Sequence, residues 1–148
     1  MTHQASLAET ERFLHKKIPL SLAMGVRVES FEDNALIVTA PLEPNHNHLG
    51  TAFGGSLSAI AMLAGYGMLW LEIKDRDCHI VVRSSTIDYR RPVRGQLRAV
   101  CHRPGESELG HLREMFLKKG KARIHLQVDV VEDGEVCVAF EGVYVVLR

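Results

Sequence analysis

A polar, glycine-rich turn lies directly ahead of a long apolar run between residues 44 and 71. The turn reads PNHNHLGTAFGG, and the run that follows reads SLSAIAMLAGYGMLWL. At the start of a buried helix, such a turn presents unpaired backbone N–H groups and the positive end of the helix dipole to whatever occupies the loop. The junction therefore predicts a site that stabilises developing negative charge.

Four residues of this turn have types suited to chemistry. Gly54 and Gly55 lack a Cβ atom, so a carbonyl group can approach the backbone closely, although the same glycines can equally serve to pack the turn under a sheet. Asn47 can hold a water through its amide, or it can bond its own backbone as loop asparagines commonly do. His48 carries an imidazole, the side chain that most often serves as a general base. We therefore predict Gly55 as the N–H donor and His48 as the leading candidate base.

Composition limits the class of protein. With 148 residues and 46% hydrophobic content, the chain suits one domain over residues 1–148 that buries about 70% of the surface its unfolded chain exposes. Lys plus Arg and Asp plus Glu number 18 each, so no global field draws the chain to nucleic acid or an anionic membrane. Cys78, Cys101 and Cys137 have neither zinc-ligand nor disulfide-framework spacing. We expect reduced thiols and a cytoplasmic protein.

The sequence predicts neither a membrane protein nor a metalloprotein. The apolar run from Gly54 to Leu71 is at the lower length limit for a bilayer span, but it contains serines and glycines and favours a helix buried in a soluble fold. The N-terminus MTHQASLAETERF lacks the basic and apolar regions of a signal peptide. His46 and His48 have no third ligand at a supporting spacing, so no metal and no cofactor are expected.

The elements that position this turn are mostly strands. Residues 122 to 131 alternate apolar and polar, and Asp133-Gly134 is a hairpin signal before the next strand. The predicted strands are Met24 to Phe31, Ala35 to Pro41, His79 to Tyr89, Gln96 to His102, Ala122 to Val131 and Val136 to Leu147. Peripheral helices are predicted at Leu7 to Lys17 and Ser107 to Lys119. Six strands against one buried helix indicate an α+β domain.

This order of elements resembles the hotdog fold of acyl-thioester enzymes, in which an antiparallel sheet of five or six strands wraps a long central apolar helix. Residues 47 to 55, NHLGTAFGG, are similar to the N-x-x-G-T-x-H-G-G signature of phenylacetyl-coenzyme A type thioesterases. Tyr89 and Pro92 match their Y-x-x-P segment. The segment from Pro44 to Leu57, followed by an LAG tripeptide, resembles most closely the thioesterase domain of YiiD C-terminal type.

The resemblance implies an acyl-thioester hydrolase, acting on acyl-coenzyme A or acyl-carrier-protein substrates as a dimer or a dimer of dimers. It implies that the Gly55 N–H holds the oxyanion, that Gly54 shapes the turn, and that Asn47 positions the attacking water. Phe53 and Met62 stand where the relatives carry a histidine and an acid, so they are expected to form an apolar wall. The usual general base is therefore absent.

Other ligand contacts are expected on the strands after the helix. Some relatives use a serine or threonine near the position of Val82, and Ser84 and Ser85 lie close to it. A locally basic region comprises Arg83, Arg90, Arg91, Arg94, Arg98 and Arg103. Of these, Arg90, Arg91 and Arg94 lie in or beside a turn, where guanidinium groups can pair with the phosphates of coenzyme A or a phosphopantetheine arm. The alternative is a charged sheet edge that discourages aggregation.

Two other functions remain open at this stage. The missing histidine and acid favour a catalytically silent module that binds acyl thioesters without turnover. A dehydratase or hydratase on the same fold would need a paired histidine and carboxylate at the helix mouth, and Phe53 and Met62 supply neither.

Overall fold

The computed structural model describes residues 3 to 148, with side chains from residue 6 onward. The helices are α1 His3–Lys17, α2 Pro19–Ala23, α3 Leu42–Asn45, α4 Gly54–Ile73 and α5 Glu106–Lys119. The strands are β1 Arg27–Glu32, β2 Ala35–Ala40, β3 His79–Tyr89, β4 Leu97–His102, β5 Lys121–Glu132 and β6 Glu135–Leu147. The α+β class and the hotdog arrangement are confirmed.

The six strands form one antiparallel sheet in the order β1-β2-β4-β5-β6-β3. Strand β5 alternates between buried and exposed residues as its sequence predicts, and its buried side faces the core. The tight Asp133-Gly134 turn, with both residues at positive φ, joins β5 to β6. Strands β1 and β3 are the two edges of the sheet, and β3 has no strand on its outer side within residues 3–148.

Helix α4 is the element on which the sheet packs. It is apolar on nearly all sides, which is the pattern of a core helix, and its fully buried residues include Ile60, Ala64, Met68 and Leu69. By length and composition alone α4 could cross a membrane, but half of its most apolar window is buried inside this fold. Its C-terminal end stops at Lys74, which adopts a left-handed conformation with φ of 62°.

A buried tyrosine joins α4 to the sheet. The Tyr144 hydroxyl on β6 donates a hydrogen bond to the Met62 carbonyl of α4 at 2.8 Å. Gly65 leaves the space for this ring, since a Cβ there would overlap the Tyr144 hydroxyl. Burial raises the pKa of Tyr144 far above its ordinary range, so the hydroxyl stays a donor.

Several predicted boundaries were wrong. The first strand begins at Arg27, and not at Met24, because Gly25 takes a φ of +74° and Val26 N–H bonds back to Ser21. Helices α2 and α3 were not predicted, since each has five residues or fewer and shows no measurable period. The three cysteines are free and buried, with Cys101 in β4, Cys137 in β6 and Cys78 just before β3.

Candidate functional site

The start of α4 has unpaired backbone donors. Phe53 occupies the N-cap position, and its apolar side chain supplies no capping hydrogen bond. The first helical hydrogen bond runs from Leu57 N–H to the Phe53 carbonyl at 3.0 Å. The N–H groups of Gly54, Gly55 and Ser56 precede it and have no backbone acceptor among residues 3–148. These donors and the helix dipole together form a site for an anion or an oxyanion.

The two glycines have different surroundings. A Cβ on Gly55 would overlap Cε2 of the Phe53 ring and lie 3.0 Å from its Cδ2 atom, so this ring occupies the space beside Gly55, which is itself exposed. A Cβ on Gly54 would lie 3.6 Å from Tyr89 Cε1, which is ordinary van der Waals contact. The Tyr89 hydroxyl donates to the Gly54 carbonyl at 3.2 Å. A side chain therefore fits at Gly54 without rearrangement, whereas at Gly55 it fits only if the exposed Phe53 ring moves.

The loop ahead of the helix is closed by its own hydrogen bonds. His46 and Ala52 form an antiparallel bridge. The Asn47 side-chain oxygen accepts the N–H groups of Leu49 at 2.8 Å and Thr51 at 3.2 Å. Its amide nitrogen donates to the Thr51 hydroxyl at 2.9 Å and reaches the Ala52 carbonyl only at 3.5 Å. The Asn47 side chain therefore holds the loop together. Its one long contact, to the Ala52 carbonyl, is the one that a water can replace.

Four further hydrogen bonds hold the loop and connect it to the segments beside the sheet. Asn45 is buried, and its amide donates to the Met24 and Pro41 carbonyls at 2.8 Å each. The Phe53 N–H donates to the Asn45 carbonyl at 2.8 Å, and the Ala52 N–H donates to the carbonyl of buried Val93 at 2.8 Å. Sequence reasoning missed Asn45 as an anchor, because nothing in a polar turn distinguishes a buried asparagine from an exposed one.

The structure leaves the base unassigned. His48 is exposed near the loop tip, next to Leu49, which is 75% exposed, and its ring has no hydrogen bond or ion pair within the described chain. Glu72 lies at the other end of α4, where Arg103 holds it at 2.5 Å and Arg113 at 2.9 Å. Across residues 3–148 no three His, Cys, Asp or Glu side chains come close enough to hold a metal ion.

One side of α4 is only partly covered by the sheet. Met62 follows Gly55 by seven residues, so the two lie on the same side of the helix about 10 Å apart. Ser58, Ala59 and Tyr66 lie on this side as well, and all are half-buried, as is Met62. The stripe leads to a groove of about 660 Å³ that is lined by Tyr66, Trp70 and Val81 among others. The half-buried stripe thus runs from Gly55 to Tyr66, and Tyr66 borders the groove.

The predicted strand residues lie beside this stripe at the free edge of the sheet. Ser84 pairs with Val143 and Ser85 with Gly142, and both serines are exposed. No measured contact joins either serine to the helix start.

The three predicted arginines differ in whether they form an ion pair. Arg90 pairs with Asp88 at 3.0 Å and Arg91 with Glu135 at 3.7 Å, while both backbone N–H groups bond the Cys137 carbonyl. Arg94 has no ion pair in the described chain, and its side chain lines a groove at the β5–β6 turn. These ion pairs are exposed, so they are weak and can exchange for a phosphate.

An antiparallel sheet of six strands packed on a long buried helix, whose start is uncapped and carries two glycines, places the chain in the hotdog fold class. Comparison with solved structures agrees. A protein of unknown function from Chlorobaculum tepidum is 37% identical with a TM-score of 0.93, covering 99% of this chain and 97% of its own. A "putative thioesterase" from Shewanella oneidensis is 34% identical with a TM-score of 0.85, covering 98% and 99%.

A thioesterase from Haemophilus influenzae shares the fold at 15% identity, with a TM-score of 0.70 and coverage of 96% of this chain and 90% of its own. Residues 7–148 match the family described as "Putative thioesterase (yiiD_Cterm)". The chain belongs to this family.

Proposed function

We propose that the protein hydrolyses acyl thioesters of coenzyme A or of an acyl carrier protein. The observation that carries this proposal is the uncapped start of α4, where Gly54, Gly55 and Ser56 offer free N–H groups, in a chain of a thioesterase family. Water attack on a thioester places negative charge on the carbonyl oxygen. Donors fixed in advance at that position lower the barrier, and one such donor contributes about 3 to 4 kcal/mol in studied enzymes.

The Gly55 N–H is the proposed oxyanion donor, and Gly54 shapes the turn that presents it. The Phe53 ring lies beside Gly55 and is 55% exposed, so it can rotate aside when a thioester carbonyl enters. The acyl group then follows the half-buried side of α4 past Met62 toward Tyr66. Phe53 and Met62 form the apolar wall of this path, and Ser84 and Ser85 border it on β3.

The attacking water is proposed to bind between the helix start and the loop. Asn47 has one amide hydrogen whose contact is long enough to exchange for a water. His48 is the proposed base, because its ring is exposed and unengaged within the described residues. Arg90, Arg91 and Arg94 are proposed to contact the substrate phosphates, since each guanidinium is exposed and at most weakly paired.

We also propose a homo-oligomer, a dimer or a dimer of dimers. Residues Arg83 to Thr86 are exposed on the free edge strand β3, and Leu49 and Phe53 expose apolar surface at the helix start. A free edge strand with both faces open pairs readily with a second chain, which would also cover the helix mouth. Light scattering measures the mass in solution, and a monomer would contradict this part of the proposal. Three buried free thiols agree with a reducing, cytoplasmic location.

A silent acyl-thioester binding module is the second candidate. It is favoured by Phe53 and Met62 at the positions of the missing histidine and acid, and by the engagement of Asn47 in its own loop. Such a module would bind a thioester at the helix start and release no thiol.

The test is free-thiol release from acyl-coenzyme A and acyl-carrier substrates with short, medium and long acyl chains. Asn47→Ala and His48→Ala are compared with His102→Ala, an exposed histidine on β4 that pairs with Asp129 and lies outside the loop. We expect both loop variants to lose activity and the control to keep it. Saturable binding without thiol release from any substrate would leave only the binding module. If Asn47→Ala releases thiol at the rate of the parent, the proposed role of Asn47 is wrong, while the proposed hydrolase activity stands.

A further inference from the structure

A second groove lies between α5 and the strands β5, β6 and β3. Its volume is about 620 Å³, within the range of small-molecule sites. Arg83, Lys121 and Arg123 line it, and Met115 and Val145 supply apolar surface. No carboxylate is among the side chains that line it. The groove is therefore positively charged with an apolar floor.

The three cations are unpaired, in contrast to most arginines of the chain. Arg83, Lys121 and Arg123 form no ion pair and no side-chain hydrogen bond with any described residue. Arginines that do pair with carboxylates are Arg27, Arg76, Arg90, Arg91, Arg98, Arg103 and Arg113. Because Lys plus Arg and Asp plus Glu balance at 18 each, this local excess of charge comes from placement and not from composition.

A β-bulge contributes to this placement. The pairing of β3 with β6 shifts between Val82 and Ser84, so Arg83 has no partner in the register. A bulge inserts an extra residue and redirects its side chain. On the neighbouring strands, Arg123 pairs directly with Val145, which puts both on the same face of the sheet. The bulge thus brings an arginine from the edge strand to the arginine and lysine of β5.

The groove is separate from the helix start. Tyr89, which contacts Gly54, lies six residues beyond Arg83 on β3, and six residues of strand span about 20 Å. Residues that bind an oxyanion at Gly55 are therefore distinct from those of the groove.

We propose that this groove binds a phosphate-bearing, nucleotide-like small molecule. The phosphate lies among Arg83, Lys121 and Arg123, where guanidinium groups donate paired, charge-assisted hydrogen bonds. The apolar part of the ligand packs on Met115 and Val145, and His111 borders the open side. The phosphate can belong to a separate nucleotide, or to the nucleotide end of a coenzyme A thioester, in which case this groove holds it in place of Arg90, Arg91 and Arg94; both ligands present the same chemistry.

Binding is tested by calorimetric titration with adenosine 3′,5′-bisphosphate, with inorganic pyrophosphate, and with adenosine as the ligand without phosphate. We expect saturable binding of the two phosphates that weakens as salt rises, and none of adenosine. Arg83→Gln and Arg123→Gln should each weaken binding by about tenfold. Arg12→Gln is the matched control, because Arg12 is exposed on α1 and forms no ion pair with the residues whose side chains are described, and it should bind like the parent.

Thermal unfolding of each variant checks that the fold is intact. We expect unchanged melting temperatures, because Arg12, Arg83 and Arg123 are all exposed. The source of the phosphate is distinguished by hydrolysis kinetics. A higher KM for acyl-coenzyme A, but not for acyl-pantetheine, in Arg83→Gln assigns the groove to the nucleotide end of the substrate, and an unchanged KM assigns it to a separate nucleotide. Absence of saturable binding, or binding that survives loss of Arg83 and Arg123, overturns the proposal whether or not the protein hydrolyses thioesters.

Discussion

Gly55→Ala should abolish most of the proposed hydrolysis while leaving the fold intact. The added Cβ would overlap Cε2 of the Phe53 ring, so the ring must rotate away. Because Phe53 is 55% exposed, the rotation costs only about 0.5 to 1.5 kcal/mol, and the helix propensity of alanine offsets up to about 1 kcal/mol. The free energy of unfolding should therefore change by no more than about 1.5 kcal/mol.

Catalysis should change much more than stability. A methyl group beside the Gly55 N–H, together with a displaced Phe53 ring, blocks the carbonyl from the oxyanion donor. Loss of one such donor lowers kcat by about 10² to 10³-fold. Gly54→Ala is the comparison, since its Cβ would lie 3.6 Å from Tyr89 Cε1 and needs no rearrangement. We expect it to lose less than about tenfold.

Thiol-release kinetics measure kcat for each variant, and chemical denaturation measures its free energy of unfolding. The double variant Phe53→Ala with Gly55→Ala separates the two causes: activity should stay low if the methyl group covers the donor, and it should recover if the displaced ring is responsible. A Gly55→Ala enzyme with the kcat of the parent would refute the assignment of the oxyanion site to Gly55.

Three further predictions concern stability. Gly65→Ala should lower the free energy of unfolding by about 1 to 3 kcal/mol, measured by urea denaturation, because its Cβ overlaps the Tyr144 hydroxyl inside the core; an unchanged midpoint would contradict this packing. Glu72→Gln should cost about 2 to 3 kcal/mol by the same measurement, since Glu72 is 12% exposed and binds Arg103 and Arg113. The Arg103 guanidinium lowers the pKa of Glu106 below its ordinary 4.5, so this group stabilises the fold above that pH and the contribution is lost as the pH falls through the lowered value. In Glu106→Gln, the free energy of unfolding should therefore fall less steeply as the pH is lowered below 4.5. The same steepness as in the parent would contradict a stabilising Glu106–Arg103 pair.

Much of the fold was predictable because its signals are local. The strand His79–Tyr89 was predicted with both boundaries correct, and α4 from its first residue, because an apolar run after a glycine pair needs no tertiary information. Helix α1 ends at Lys17 as predicted, ahead of Pro19. Helices α2 and α3 escaped prediction because elements of four or five residues carry too few positions to reveal a period.

The site was predictable only in outline. The turn and its glycines mark the helix start, but the sequence left open whether Asn47 binds water or its own loop, and the structure shows the loop bonds. The Phe53 ring beside Gly55 and the anchoring of the loop by buried Asn45 depend on side-chain positions that no pattern encodes.

By itself, the sequence determined the order of elements, the buried character of α4 and the position of the glycine turn at its start, because hydrophobic period and turn residues act over a few neighbours. Only the tertiary structure decided which charges remain free. Arg90 and Arg91 lie beside the turn yet pair with carboxylates, whereas Arg83, Lys121 and Arg123 come from two strands and stay unpaired in one groove. The reason is physical: ion pairing depends on distances between strands, and strand register and a bulge at Arg83 set those distances.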